Sequence, residues 1–190
     1  MRLFRSLTLL LTLIAPTAFA DDLYQVEMIL VRQNAVPAIA SPAPPEDWAR
    51  GAQPISADSL RTPALNGVVE KLTASTDYTV LLHKSWQQNL GEVSSKVLIS
   101  EGQEQYGQFP IQGTLDLKLG RFTDVYANFW VNQLDGNGSV IQSEQLKQVN
   151  STVKNNELTF LDGGHLAVLF KVIAAGTRTT SPAEAEMMEQ

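Results

Sequence analysis

The chain contains no cysteine. That absence excludes disulfide bonds, thiolate catalysis, cysteine metal sites and the lipid-bearing cysteine of a bacterial lipoprotein. The fold must be held by its core alone. Histidine is nearly as scarce, with His83 and His165 the only two. Neither H-x-x-x-H nor H-E-x-x-H spacing occurs, so a zinc site built on local ligands is excluded. There is no G-x-S-x-G, no P-loop and no complete G-x-G-x-x-G. Positive charge is in deficit, with 14 basic against 20 acidic residues and a net charge of −6. An acidic surface argues against DNA, RNA or anionic lipid headgroups as main partners, because each of those needs a cationic footprint.

The one strongly apolar stretch lies at the start. Arg2 and Arg5 form a positive leader, Leu7 to Ile14 is apolar apart from Thr8 and Thr12, and Pro16 precedes Thr17-Ala18-Phe19-Ala20. Ala18 and Ala20 give the small-x-small pattern of a signal-peptidase site. Residues 1–20 are therefore expected to be a cleaved secretory signal peptide. The run falls well short of the ~20 residues a membrane span needs. No later segment is long and apolar enough, so no span is expected in the mature chain. Cleavage removes Arg2 and Arg5 and takes the net charge from −6 to −8, leaving 170 residues, enough for one ordinary domain.

Leu23 to Arg32 alternates, with Tyr24, Val26, Met28 and Leu30 on one face and a half-apolar second face, as a central strand would. Residues 33–61 are rich in Ala and Pro and read as a long loop, which is either functional or mobile. Trp48 lies within it. Thr62 and Pro63 suit the N-cap and first position of a helix. Leu65, Val68, Val69 and Leu72 then make one apolar stripe, suited to packing on a sheet. Tyr78 to Gln88 reads as the next strand, with Tyr78, Val80, Leu82 and Trp86 on a shared face. Strand, helix and strand together read as a βαβ unit.

Further on, Ile111 to Leu119 and Phe122 to Leu134 alternate cleanly, with Gly120 as a bend or bulge between them. Asp135-Gly136-Asn137-Gly138 is the strongest turn signal. It resembles the opening of an EF-hand loop but has Val140 and Leu146 where such a loop needs Gly and Glu. Asn155-Asn156 marks another turn, and Glu157 to Leu161 and Ala167 to Ile173 close the domain. Residues 177–190 carry no core pattern and are expected to be disordered. The expected fold is thus α+β: residues 21–176 as a single domain, an antiparallel-rich sheet with one main helix packed on a face.

Candidate chemistry is sparse. Glu46, Asp47, Asp116 and Asp124 are acids of the kind glycoside hydrolysis uses, but spacing in sequence does not set the few-ångström separation that mechanism needs. Aromatic side chains are better candidates. Trp48, Trp86, Trp130, Tyr78 and Tyr126 can stack on sugar rings or fill a partner's pocket. Core burial is the competing reading for Trp86 and Trp130.

Four segments together resemble the CsiV family of peptidoglycan-binding proteins, small exported envelope proteins of Gram-negative bacteria. They are Tyr24 to Val31; Tyr78 to Gln88, carrying Y-x-V-L-x-H-x-x-W-x-Q; Gly120-Arg121-Phe122; and Glu157 to Asp162 ahead of Leu166 to Ile173. The family pattern carries histidine after the Arg-aromatic pair and Asp-His-Pro near the end. This chain has Asp124 and Asp162-Gly163-Gly164 at those places. The resemblance implies a non-enzymatic periplasmic protein that binds peptidoglycan without a cofactor. It also implies support of a cell-wall synthase through that enzyme's lipoprotein activator. Tyr78, His83, Trp86, Arg121, Tyr126 and Trp130 are the expected ligand-binding residues. Arg121 is suited to a stem-peptide carboxylate. Two rivals are a protein adaptor that docks through residues 33–61 and a wall hydrolase.

Overall fold

The first alternating segment forms β1, Asp22–Gln33. Tyr24, Val26, Met28 and Leu30 are buried on one side of it, and Ile29 and Val31 on the other. A strand that is apolar on both faces must be covered on both. The computed structural model describes residues 22–175, apart from the side chains of residues 147–150, and supplies both covers. The expected signal peptide and C-terminal tail lie outside the described residues.

The remaining elements are β2 (Ala40–Ser41), β3 (Gln53–Pro54), a 3-10 turn (Ala57–Ser59), α1 (Asn66–Ala74), β4 (Tyr78–Leu90), β5 (Ser95–Glu101), β6 (Ile111–Leu119), β7 (Thr123–Leu134), β8 (Val140–Val153), β9 (Thr159–Asp162) and β10 (Leu166–Ala174). They make a four-stranded sheet in the order β4-β1-β10-β9 and a six-stranded sheet in the order β2-β8-β7-β6-β5-β3. Among the described residues, only the short β3–β5 pair is parallel.

The two sheets pack face to face around one core. Val26, Met28, Trp86 and Phe170 come from the first sheet, and Leu115, Val125, Phe129 and Leu146 from the second. Each such side chain contributes about 1.5–3 kcal/mol by leaving water. Helix α1 covers the far side of the four-stranded sheet, where Leu65, Val68, Val69 and Leu72 meet Ile29, Val31 and Leu169. The order of layers is helix, sheet, sheet. Antiparallel sheet and a single packed helix are present as expected. However, strand makes up 55% of the structure and helix 8%, so the architecture is mostly β, with two sheets where one was expected.

Four local expectations change. β1 and β4 are neighbours and antiparallel, so the strand–helix–strand segment is not a parallel crossover. The β1–β4 register shifts where Leu30 pairs with Leu82 but Val31 pairs with Val80. This bulge at Leu81 turns Tyr78 and Val80 toward the helix, while Leu82 and Trp86 stay in the inter-sheet core. Gly120 lies in a hairpin, where Leu119 pairs with Thr123 and the Gly120 N–H donates to the Phe122 carbonyl at 2.8 Å. Helix α1 begins at Asn66 rather than Pro63 and has no side-chain cap of its own. Glu27 of β1 caps it instead, accepting from the backbone N–H of Ala64 at 3.0 Å and of Leu65 at 2.8 Å. A buried carboxylate at a helix N-terminus satisfies orphan donors and complements the helix dipole.

The long loop is tied down at both ends. β2 joins the β8 edge of the six-stranded sheet and β3 joins the β5 edge. The strap between them meets the outer side of that sheet, where Lys96 Nζ donates to the Arg50 carbonyl at 2.8 Å.

Candidate binding face on the six-stranded sheet

Alternation along β5, β6 and β7 sends Val97, Leu115, Leu117, Val125 and Ala127 into the core. The residues between them, Lys96, Thr114, Asp116, Tyr126 and Asn128, therefore emerge on the opposite face. Among the described residues, no helix covers that face. The five line a cleft of about 310 Å³. Register makes the grouping: Lys96 pairs with Asp116 and Asp116 with Tyr126, while Thr114 pairs with Asn128 in the next row. Directly opposed side chains on a sheet stand within about 5 Å of one another.

The cleft holds one cation, one carboxylate, an amide, a hydroxyl and an aromatic ring. Asp116 Oδ1 accepts from Ser94 Oγ, which orients the carboxylate. Tyr126 is 38% exposed, so part of its ring is open to a ligand. Together these groups can hydrogen-bond sugar hydroxyls and amides, pair with a carboxylate and stack on a pyranose.

The six expected ligand-binding residues are not brought together. Tyr126 lies in the cleft. Trp130 is on the same side of β7 but only 5% exposed, between Gln112 and Gln145 on the neighbouring strands, so it is a floor rather than a platform. Arg121 is exposed on the β6–β7 hairpin, its guanidinium 5.5 Å from the centre of the Phe122 ring. Asp124 follows it and accepts from Thr152 Oγ1 at 2.9 Å. Trp86 is 1% exposed in the inter-sheet core, its Nε1 donating to Gln88 Oε1 at 2.7 Å, which leaves no ring face for a ligand. His83 lies beneath the start of α1, with Nε2 2.7 Å from Glu27 Oε1, and Tyr78 packs against the helix. Sequence reasoning missed Lys96, Thr114 and Asn128. Their signal was the polar half of each alternating strand, which gains meaning only once the strands are placed side by side.

A second cavity, of about 260 Å³, opens between the Val36–Pro42 segment and the turn Gly163-Gly164-His165. Gly163 lies in that turn. A Cβ there would fall 2.0 Å from Leu146 Cδ1, so any side chain at this place requires Leu146 to move. Among the described residues, no group of three or more His, Asp or Glu is placed to hold a metal ion, and no helix is long and apolar enough to cross a membrane.

The molecule is thus a β-sandwich with one polar face left open beside an aromatic ring. The model of the family described as "Peptidoglycan-binding protein, CsiV" matches residues 2–63 and 56–175, most of the chain, and the protein belongs to that family. No curated protein and no solved structure matches it.

Proposed function

We propose that this protein is exported to the periplasm, binds peptidoglycan through the cleft around Tyr126, and supports cell-wall synthesis without catalysing a reaction. The observation that carries the reading is the half-exposed Tyr126 ring beside Lys96 and Asp116 on the sheet face that the strap leaves partly open. The ring stacks on a sugar. Lys96 meets a stem-peptide carboxylate, and Asp116, Thr114 and Asn128 take hydroxyl and amide groups. Family membership supports the ligand class. Binding is favoured over cleavage because paired-carboxylate hydrolysis takes two acids, and Asp116 is the one acid in the cleft lining.

The test is co-sedimentation of purified residues 21–190 with isolated sacculi at low and high salt. Pelleting that Tyr126→Ala weakens supports the cleft. Protein that stays in the supernatant under both conditions removes the reading. A second role has its own observation. Val36 and Ile39, exposed in the segment before β2, give the strap an apolar contact point for a protein partner, which we take to be a lipoprotein activator of a wall synthase. Loss of that partner on replacing both residues by Ser, but not with Tyr126→Ala, separates the two roles.

A further inference from the structure

The second cavity holds a feature that the cleft does not explain. His165 lines it, is 4% exposed, and its Nε2 has no hydrogen-bond partner among the described residues. Glu144 Oε2 lies 3.5 Å away. Both Glu144 oxygens already accept from Arg32, at 3.0 Å from Nε and 3.0 Å from Nη2. A buried ring nitrogen left unpaired is destabilising unless something entering the cavity satisfies it.

The cavity is preformed. Gln33 holds the turn that carries His165: its Nε2 donates to Asp162 Oδ1 at 3.0 Å and its backbone N–H to the His165 carbonyl at 2.7 Å. Gly164 N–H donates to the same Asp162 oxygen at 3.0 Å. Opposite stand Pro37, Ile39 and Pro42, an apolar wall. Gln145 closes one side and donates through Nε2 to Asn128 Oδ1 at 3.1 Å. Asn128 also lines the Tyr126 cleft, so one amide pair joins the walls of the two cavities.

These features select a ligand class. A carboxylate is disfavoured because, among the described residues, no Lys or Arg lines the cavity and Arg32 is already paired with Glu144. An ammonium would lose its hydration against prolines and isoleucine. A neutral amide with a small apolar end suits both walls. Its methyl lies on Pro37, Ile39 and Pro42, and its N–H or C=O meets Nε2 whichever tautomer His165 holds. The volume of about 260 Å³ equals roughly nine waters at about 30 Å³ each, room for such a group and part of the ring that bears it.

We propose that this cavity is a subsite for the acetamido group of an N-acetylated amino sugar, anchored by His165 Nε2. It rests on the peptidoglycan-binding reading and extends it: one glycan strand occupies the Tyr126 cleft and places an acetamido group across the Asn128–Gln145 pair.

The experiment titrates residues 21–190, labelled with 15N-histidine, with N-acetylglucosamine, glucose and glucosamine. The imidazole resonances are followed, with His83 as internal control because it is already bonded to Glu27. The expected result is a saturable shift of the His165 ring nitrogens with N-acetylglucosamine, and apparent binding at least about fivefold weaker with the other two sugars. Ile39 is 72% exposed, so Ile39→Lys leaves the fold in place. It should weaken the N-acetylglucosamine response by about fivefold or more. No saturable shift, or an equal one with glucose, overturns the subsite. If sacculi still pellet the protein in that case, the cleft reading survives alone. A His165 shift without sacculus pelleting upholds the subsite and overturns the wall-binding role.

Discussion

The four-stranded sheet is covered on both faces, by the other sheet and by α1, whereas the six-stranded sheet has one face against the core and the other against solvent and the strap. The same kinds of residue meet different fates on them. His83, expected among the ligand-binding residues, lies under the helix against Glu27, which holds the helix N-terminus to β1. Lys96, which no sequence signal marked, and Asp116, read only as one of several candidate acids, line the cleft on the other sheet. What a polar side chain does in this molecule follows from what covers its sheet.

That comparison can be broken or sharpened, and the largest effect should come from the covered sheet. Trp86→Ala should cost about 3–5 kcal/mol of stability in urea unfolding, the range for emptying a large core aromatic site. A neutral result would mean that Trp86 is not a core residue. Glu27→Ala removes both backbone acceptors at the helix start and the partner of His83, and should cost about 2–3 kcal/mol. Loss of helical signal at 222 nm ahead of the main thermal transition would identify α1 as the part released. Gly163→Ala tests the point where the second cavity meets the core. The clash with Leu146 should cost about 1–3 kcal/mol, read as a lowered melting temperature.

The uncovered face should respond in the opposite sense. Tyr126→Ala should leave stability within about 0.5 kcal/mol of the parent. It should weaken sacculus binding roughly three- to tenfold, the worth of one stacking contact. A large stability loss there would place Tyr126 with the structural residues. The smallest effect is expected at Arg121, outside the cleft lining. Arg121→Ala should alter sacculus binding by less than about twofold, and only in low salt, where an exposed charge acts over its longest range.

Much of the fold was legible. Alternation marked β1, β6 and β7, and the Asp135 turn formed, with Asp135 Oδ1 accepting from the N–H of Asn137 and Ser139 at 2.8 Å each. The helix stripe packed on a sheet as its spacing implied. Of the candidate site, Tyr126 alone was expected to bind a ligand, and Asp116 was named only among possible hydrolytic acids. Tyr78 and Trp86 read as one face, but a single bulged residue between them placed one under the helix and the other in the core. Period-two reasoning does not survive an extra residue. His83 read as a ligand-binding residue because its partner, Glu27, is 56 residues away in the chain and spacing gives no sign of the pairing.

The sequence by itself determined which segments are extended, where the chain turns, and that no cysteine chemistry takes part, because each of these depends on residues close together in the chain or absent from it. Tertiary structure alone decided that the strands divide into two sheets, that the helix covers one of them, and that Lys96, Asp116 and Tyr126 meet on the open face of the other. Pairing register and burial depend on contacts between distant segments, and local periodicity carries no record of which strand will lie beside which.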